Sequence, residues 1–306
     1  MKATVFGGFG LLGHEIICER PKQTEIYAPT SYGLNLELHQ AISSNNDVWI
    51  NCAAKVGGVK VNTDYVADFY KINSAINNNV FQGAKECGVK KLISILSTCI
   101  YPDAAYVSYP LTEDQLHNGP PHQSNFGYAY AKRMVDVQSR AYRQQWGCNY
   151  ITIVPNNLYG LHDNFDLNSG HVIPSLIRKF YEAKRDGTDV VLWGDGTPLR
   201  EFTFARDAAK IIWWLAENYN DEFPINIGCT DEISIGDLAS LIGKIIGFNG
   251  NIKFDTTKPN GQHRKPSSNE KLKNLGCKII YTPLEQGLVE TIEFFEKNYL
   301  NLRGIK

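Results

Sequence analysis

The chain has 306 residues, enough for one large or two moderate domains. Its 31 Lys and Arg residues balance 32 Asp and Glu residues, and the formal net charge of −1 excludes a globally basic nucleic-acid-binding protein. Hydrophobic residues make up 43% of the chain and charged residues 21%, which is typical of a globular protein and unlike a disordered one.

Strands and helices are predicted to alternate along the first half of the chain. Strands are predicted at Ala3–Phe6, Glu25–Ala28, Val48–Ala53, Lys91–Leu96 and Tyr150–Val154, and helices at Leu11–Glu19, Leu36–Ser43, Phe69–Cys87 and Tyr128–Trp146. Alternation at this spacing predicts an α/β fold with a Rossmann-type, doubly wound parallel sheet.

The alternation breaks after about residue 160, where loops rich in Asn, Gly and Pro appear. Ile225–Ile227 again has β character, so a segment near residues 205–230 is expected to cross back to the sheet. We therefore expect a dinucleotide-binding Rossmann domain at residues 1–160 and a smaller C-terminal α/β domain at residues 161–306 that binds the substrate.

The chain also lacks signals for export and for membranes. No apolar run is long enough to span a membrane, and the N-terminus has no apolar stretch of a signal peptide. The seven cysteines are widely spaced without a CxxC pair, so the sequence predicts neither a disulfide framework nor a metal site. We expect a cytoplasmic enzyme that binds neither nucleic acid nor membranes.

A glycine cluster lies between the first predicted strand and the first predicted helix. Gly7, Gly10 and Gly13 form a GxxGxxG motif, which provides a tight turn, a close approach of backbone amides to a pyrophosphate, and close packing of helix on strand. The helix N-terminus would face the phosphates with its partial positive charge. The alternative is a glycine-rich turn without a ligand, but the position on the first βα turn favours a dinucleotide site.

The end of the second predicted strand bears on which dinucleotide is bound. An acidic residue there would bind the ribose hydroxyls of NAD, but residues 27–32 contain neither an acidic residue nor an Arg or Lys. The hydroxyls of Thr30 and Ser31 are suited to donate hydrogen bonds to a phosphate. This segment therefore favours NADP(H).

Tyr128 and Lys132 stand at positions i and i+4 of a predicted helix, on one face. An ammonium group near a phenol stabilises the phenolate, so we expect Lys132 to lower the pKa of Tyr128, which suits a proton donor to a carbonyl oxygen during hydride transfer. Lys132 is also placed to hold the nicotinamide ribose. Ser97 follows the strand Lys91–Leu96, at the edge where open α/β sheets bind ligands. The YxxxK pattern by itself describes an ordinary amphipathic helix equally well.

The glycine loop, the strand-end serine and the YxxxK pattern occur in that chain order. Together they resemble the extended branch of the short-chain dehydrogenase/reductase superfamily, and Asn73 matches a structural Asn of that branch. A narrower resemblance, to the GDP-L-fucose synthase family, covers the chain to about residue 300. It is carried by the segments Ala53–Val59 (AAKVGGV), Ser97–Pro102 (STCIYP), Asn157–Phe165 (NLYGLHDNF), His171–Pro174 (HVIP) and Trp193–Phe202 (WGDGTPLREF).

This resemblance implies conversion of GDP-4-keto-6-deoxy-D-mannose to GDP-L-fucose, by 3,5-epimerisation and then 4-reduction with NADPH, in a homodimer. The C4 ketone acidifies the protons at C3 and C5, so inversion needs a base on one face and an acid on the other. Cys99 is suited to be the base if a cation favours its thiolate, and His171 to be the acid. Ser97 and Tyr128 would polarise the C4 oxygen in both half reactions.

The resemblance also assigns binding residues. Cofactor binding falls on Gly7, Gly10, Leu11, Leu12, Gly13, Ser31, Asn35, Leu36, Ala53, Ala54, Tyr128, Lys132 and Asn157. Substrate binding falls on Lys179, Trp193, Arg200 and Lys265, with Arg178 a further basic residue for the substrate diphosphate.

Three functional interpretations stay open from the sequence. The loop at residues 166–170 departs from the family pattern, so the protein is either the bifunctional enzyme or a C4 reductase without epimerase activity on a related GDP-4-keto sugar, such as a heptose. A non-catalytic dinucleotide-sensing protein is a third reading, and the intact set of Ser97, Tyr128 and Lys132 argues against it.

Overall fold

The computed structural model describes residues 1–31, 33–38, 46–258 and 260–305. The strands are β1 (Lys2–Phe6), β2 (Glu25–Tyr27), β3 (Val48–Asn51), β4 (Lys91–Ile95), β5 (Tyr150–Pro155), β6 (Asn157–Tyr159), β7 (Val190–Trp193), β8 (Leu199–Phe204), β9 (Ile225–Ile227), β10 (Glu232–Ser234) and β11 (Ile252–Asp255). The helices are α1 (Leu11–Cys18), α2 (Val59–Asp64), α3 (Val66–Glu86), α4 (Phe126–Trp146), α5 (Val172–Asp186), α6 (Ala205–Asn218), α7 (Ile235–Ile246), α8 (Glu270–Asn274) and α9 (Leu284–Asn298).

Six strands form a parallel sheet in the order β2-β1-β3-β4-β5-β9. Helices α1 and α6 pack together on one face, and α3 and α4 pack together on the other. Every residue of β3, β4 and β5 is buried, as expected for parallel strands that are covered on both faces. The predicted doubly wound parallel sheet is confirmed.

The predicted elements of the first half match the structure within three residues at their ends, with one exception. Of the helix predicted at Leu36–Ser43, residues 36–38 form a turn, and residues 39–43 lie outside the described part of the chain. The short helix α2 was not predicted, because its six residues, VKVNTD, carry too few apolar positions to show a helical period.

The remaining strands form two smaller sheets. One has the order β10-β8-β6, with β8 antiparallel to β10 and parallel to β6, and the other pairs β7 with β11 in parallel. Helices α5, α7 and α9 pack on these strands around a second apolar core. From β8 the chain enters α6 and β9, and therefore returns to the six-stranded sheet.

This topology concentrates loops at one edge of the large sheet. Because β1, β3 and β4 are parallel, the segments that follow Phe6, Asn51 and Ile95 all leave from the same edge. The chain moves outward from β1 to β2 on one side and to β3 on the other, which opens a crevice at the carboxyl ends of the strands. Among the described residues, no helix is both long and apolar enough to cross a membrane.

Candidate active site

A cleft of about 1120 Å³ lies at this edge of the six-stranded sheet and extends to the smaller sheets and their helices. This volume exceeds the usual range of single-ligand pockets, roughly 300–1,000 Å³, and suits two large ligands side by side. Nearly all of the sequence-predicted site residues line it: Gly7, Gly10, Leu11, Leu12, Gly13, Ser31, Asn35, Leu36, Ala53, Ala54, Ser97, Cys99, Tyr128, Lys132, Asn157, His171, Trp193, Arg200 and Lys265.

The glycine loop is built by close backbone contacts. Gly7 has a φ of +75°, which L side chains rarely adopt, and a Cβ there would lie 2.8 Å from the amide nitrogen of Ala53. A Cβ at Gly13 would lie only 2.2 Å from the carbonyl oxygen of Gly7, so α1 packs directly on the loop. Gly10 precedes α1 as its N-cap and offers no side-chain cap, which leaves the amides of the first turn available to an anion.

Asn73 fixes the loop that follows β3. Its side-chain oxygen accepts a hydrogen bond from the amide of Lys55 at 3.0 Å, and its side-chain nitrogen donates to the carbonyl oxygens of Lys55 at 3.0 Å and Phe69 at 2.7 Å. Asn73 is buried in α3, so these bonds are shielded from water. The loop that carries Ala53 and Ala54 along the cleft is thus anchored to a helix.

Ser97 and Tyr128 meet where β4 ends. The Ser97 hydroxyl accepts a hydrogen bond from the amide of Cys99 at 3.3 Å, and so caps a short 3₁₀ helix at Thr98–Ile100. Burial, and to a lesser degree the neighbouring Cys99, raises the pKa of Tyr128 above its ordinary value, while a hydrogen bond with Ser97 opposes the shift. Tyr128 is therefore a phenol with a proton to give, not a phenolate.

Lys132, one helical turn after Tyr128 on α4, is buried and lines the same cleft. Its ammonium group donates a hydrogen bond to the carbonyl oxygen of Ile95 at 2.9 Å, and burial lowers its pKa to about 8. The expectation of a lowered pKa for Tyr128 does not hold in this structure, because burial of the phenol is the largest cause of the shift and raises the pKa.

Two cations lie near Cys99. The Lys265 ammonium nitrogen is 3.7 Å from the Cys99 sulfur. The guanidinium group of Arg200 donates hydrogen bonds to the carbonyl oxygens of Leu199 at 2.7 Å and Gln262 at 2.6 Å, and burial lowers the pKa of Arg200 while Cys99 raises it. Cys99 is thus the place where the basic residues Arg200 and Lys265 meet in the cleft.

The segment that carries Lys265 is held by a buried carboxylate. Glu201 of β8 accepts hydrogen bonds from the Ser267 amide at 3.0 Å and from the Ser267 hydroxyl at 2.6 Å. On the neighbouring strand, the Asn157 side chain donates to the carbonyl oxygen of Glu201 at 2.8 Å. Residues from three distant parts of the chain are in this way fixed along one wall of the cleft.

His171 also lines the cleft, at the N-cap of α5, with Pro174 in the first turn. The side chain keeps contact with the solvent in the cleft, yet desolvation by the surrounding protein lowers its pKa, and Arg303 lowers it further. Arg303 lines the same cleft and is tied to the preceding loop, because its carbonyl oxygen accepts a hydrogen bond from the Phe165 amide at 3.0 Å.

Asp163 and Arg303 are cleft residues that the sequence analysis did not single out. Asp163 is 5% exposed, burial raises its pKa to about 7, and its Oδ2 atom has no hydrogen-bond partner among the described residues. Asp163 stands inside the HDNF motif, which is a signal that the sequence offers. Arg303 had no such signal, because a lone Arg near the chain end looks like any surface cation.

Two predicted substrate residues are not brought to the cleft. Lys179 is absent from the cleft lining as described, and its ammonium group donates to the carbonyl oxygen of Val191 at 3.3 Å. Arg178 pairs with Glu182 at 2.7 Å and donates to the carbonyl oxygen of Gly304 at 2.8 Å. Both side chains hold α5 to its neighbours in this structure, and a substrate-binding role for either residue stays a prediction.

The segment after β2 also contributes to the cleft. Ser31 lines it, whereas the Thr30 hydroxyl oxygen accepts a hydrogen bond from the Gly33 amide at 3.2 Å and stabilises a turn. The Asn79 side chain donates to the carbonyl oxygens of Leu36 at 2.8 Å and Leu38 at 3.0 Å. Helix α3 thereby holds this part of the cleft in place.

Comparisons with known proteins agree with this geometry. The profile described as "NAD dependent epimerase/dehydratase family" matches residues 30–228. A GDP-L-fucose synthase of Dictyostelium discoideum is 42% identical over 310 residues, which cover 98% of this chain and 96% of that protein.

Two solved structures share the fold at full length. A GDP-L-fucose synthetase of Naegleria fowleri bound to NADP superposes with a TM-score of 0.91 at 38% identity, covering 99% of this chain and 96% of the other. A GDP-6-OMe-4-keto-L-xylo-heptose reductase of C. jejuni also reaches a TM-score of 0.91, at 26% identity, with 97% and 98% of the chains covered. The chain therefore belongs to the NAD-dependent epimerase/dehydratase family and, within it, to the GDP-L-fucose synthases.

Proposed function

We propose that the protein converts GDP-4-keto-6-deoxy-D-mannose to GDP-L-fucose with NADPH, by 3,5-epimerisation followed by 4-reduction. The observation that carries this proposal is the single cleft that joins the glycine loop to Ser97, Tyr128, Cys99 and His171. The family relatives that span almost the whole chain bear the same activity in their names.

The glycine loop fits a dinucleotide. A side chain at Gly13 would overlap the backbone of Gly7, and the uncapped first turn of α1 offers amides and a partial positive charge to a pyrophosphate. NADPH, when bound, supplies the hydride that reduces the C4 carbonyl. Ser31, Asn35 and Leu36 are proposed to contact its adenosine end, as residues of the cleft wall after β2.

Tyr128 is proposed to give its proton to the C4 oxygen during reduction, and the raised pKa keeps that proton on the phenol at neutral pH. Ser97, hydrogen-bonded to Tyr128, would donate to the same oxygen and hold it in place. Lys132, buried and part of the cleft lining, would contribute positive charge and bind the nicotinamide ribose.

Cys99 and His171 are proposed as the proton-transfer pair of the epimerisation. Cys99 would be the base, and the Lys265 ammonium group, 3.7 Å from its sulfur, lies beside it in the cleft. His171 would return a proton to the other face of the sugar, and Arg200 and Lys265 would neutralise the diphosphate. Trp193, which lines the same cleft, would cover the sugar or the guanine.

The decisive experiment incubates the protein with NADPH and GDP-4-keto-6-deoxy-D-mannose in D₂O and identifies the product by NMR. The proposal expects GDP-L-fucose with deuterium at C3 and C5. NADPH oxidation that yields a sugar without deuterium at these carbons would instead identify a C4 reductase without epimerase activity. If no NADPH is oxidised, this sugar is not the substrate. GDP-4-keto heptoses would be tested next, because a heptose reductase shares the fold.

A Cys99→Ser variant separates the two half reactions. We expect a loss of C3 and C5 exchange by at least about a hundredfold, the usual contribution of one acid–base group, with reduction of an already epimerised substrate retained. The same protein samples serve both assays. Equal loss of the two activities would show that Cys99 supports the site structurally and is not the base.

The division into domains, the cellular setting and the oligomeric state belong to the same proposal. Residues 1–160 with the returning segment near 205–230 would form the cofactor-binding domain, supported by β9 pairing with β5, and residues 161–306 would supply most of the substrate site. The seven cysteines, all among the described residues, form no disulfide, which accords with a reduced cytoplasmic setting. A homodimer is proposed through α3 and α4.

A further inference from the structure

Two histidines and a glutamate meet away from the proposed reaction centre. His14 and Glu15 lie on α1, just after the glycine loop, and His162 lies in the loop after β6. Their possible ligand atoms all lie within 4.8 Å of one another. The imidazole rings of His14 and His162 are in contact, with centroids 3.5 Å apart and planes inclined by 36°.

We propose that His14, Glu15 and His162 bind one divalent transition-metal ion of the zinc class. Two imidazoles and one carboxylate are the donors that Zn²⁺, Co²⁺ and Ni²⁺ prefer, and a water molecule would complete a tetrahedral site. Nothing in the family resemblance suggests this site. No spacing in the sequence indicates it, because His162 is far along the chain from His14 and Glu15.

The charges that surround the cluster do not exclude a cation. Glu15 is buried, with Arg206 and Lys210 as cationic neighbours and Glu19 and Glu290 as anionic ones, so the neighbouring charges are balanced.

The surroundings also resemble those of a metal site. The Cys18 sulfur, one turn further along α1, lies 3.6 Å from Nδ1 of His14 and can fix that ring while the other nitrogen binds the ion. Phe294 packs edge-on against the His162 ring at 4.9 Å and restricts its rotation. His14 and His162 are only partly buried, which leaves an entry path for an ion.

Binding requires a small contraction. Metal–nitrogen bonds of about 2.0–2.1 Å place tetrahedral ligands about 3.3 Å apart, so side-chain rotations must bring the three donors closer than they are now. The backbone is suited to this, because a Cβ at Gly160 would lie 3.3 Å from the Leu11 side chain, which shows how closely the loop before His162 packs on α1. A bound ion would cross-link the helix of the glycine loop to this loop.

The test uses untagged full-length protein, treated with a chelator and then titrated with Co²⁺ and Zn²⁺. We expect one ion per chain by calorimetry, a Co²⁺ absorption spectrum of tetrahedral type that Zn²⁺ abolishes, and a Zn²⁺-dependent rise in melting temperature. His14→Ala and His162→Ala should each weaken binding at least about tenfold. The exposed His263, outside this cluster, supplies the matched control His263→Ala, which should bind as the unaltered protein does.

Three results would overturn the proposal: no stoichiometric binding by the unaltered protein, binding that survives both histidine substitutions, or an octahedral Co²⁺ spectrum that indicates loose surface association. Cys18→Ser should keep the stoichiometry of one Co²⁺ per chain, because the Cys18 sulfur contacts the His14 ring and is not one of the three proposed ligands. Melting temperatures without metal verify that the variants are folded. None of these readouts depends on the proposed enzyme activity.

Discussion

At the scale of single residues, the proton on Tyr128 is the most consequential feature of the cleft. Its raised pKa results from burial, which the hydrogen bond with Ser97 only partly opposes. Tyr128→Phe should lower the rate of NADPH oxidation by about 10²–10⁴-fold, because it removes the proton donor while it keeps the ring in place. Affinity for NADP⁺, measured by calorimetry, should change by no more than a few-fold.

The control for this prediction lies on the same helix. Tyr130 is two residues further along α4, and its ring packs on Phe126 at 5.2 Å. Tyr130→Phe removes the same hydroxyl from a residue outside the cleft lining as described. Turnover by Tyr128→Phe that matches that of Tyr130→Phe would exclude Tyr128 as the acid.

Asp163 gives a pH dependence with a definite sign. Its folded-state pKa, about 7, lies above the ordinary carboxyl value of 3.8. Between these pH values the folded chain holds a proton that the unfolded chain releases, so this carboxyl lowers stability as pH rises. The free energy of unfolding of Asp163→Asn, taken relative to that of the unaltered protein, should therefore rise by about 2–3 kcal/mol when the pH is raised from about 5 to about 8.

Chemical denaturation at the two pH values measures the difference. Asp166→Asn is the matched control from the same loop, because hydrogen bonds from Ser169 hold the pKa of Asp166 below its ordinary value. That carboxylate is ionised in both states over this pH range, so its replacement should shift stability by a constant amount. A constant shift for Asp163→Asn as well would mean that Asp163 is ionised in the folded protein.

At the scale of elements, the turn from β1 into α1 makes different demands on its glycines. A Cβ at Gly13 would lie 2.2 Å from the Gly7 carbonyl oxygen, whereas at Gly10 the same atom would be 3.5 Å away, an ordinary contact. Gly13→Ala should lower the free energy of unfolding by at least about 2 kcal/mol, since backbone atoms must move. Gly10→Ala should change it by less than about 1 kcal/mol.

The same pair of variants separates folding from binding. Gly10 lines the cleft at the first turn of α1, so its added methyl group should weaken NADP⁺ binding by at least about tenfold in a protein of normal stability. Urea denaturation and calorimetric titration measure the two quantities. Equal stability of the two variants would show that α1 does not pack on the loop as closely as the structure has it.

The elements differ in how far the sequence predicts them. Strand β4 and helices α3 and α4 follow from local periodicity, since each is long or strongly apolar. The pairing of β6 with β8 does not, because the three-residue strand β6 owes its pairing to contacts between distant segments. Side-chain contacts between distant segments are unpredictable for the same reason. The sequence did not indicate that the Lys179 ammonium group donates to the carbonyl oxygen of Val191, nor that Arg303 lies near His171.

At the scale of the whole molecule, the cleft takes its residues both from the six-stranded sheet and from the part of the chain around the second apolar core. The six-stranded sheet supplies the glycine loop and Ser97, while the second core supplies His171 and Arg200. Lys265 and Cys99, 166 positions apart in the chain, meet between them. Motifs in the sequence identified most of these residues, but their convergence on one cavity is a property of the tertiary structure alone.

The outer faces of α3 and α4 bear on the assembly of the whole molecule. Met134 and Val137 are 43% and 41% exposed and share one face of α4, and Tyr70 of the adjacent α3 is 49% exposed. Two such helix pairs related by a two-fold axis would form a four-helix interface and cover these side chains. We expect sedimentation velocity to give a dimer for the unaltered protein.

The double variant Met134→Glu/Val137→Glu should sediment as a monomer, because its four carboxylates would face one another across the two-fold axis without partners. The control is Ile280→Glu, which places the same charge on a side chain that is 90% exposed and distant from both helices in the sequence. That variant should remain a dimer. A double variant that still sediments as a dimer would move the interface away from α3 and α4, and a monomeric unaltered protein would refute the dimer itself.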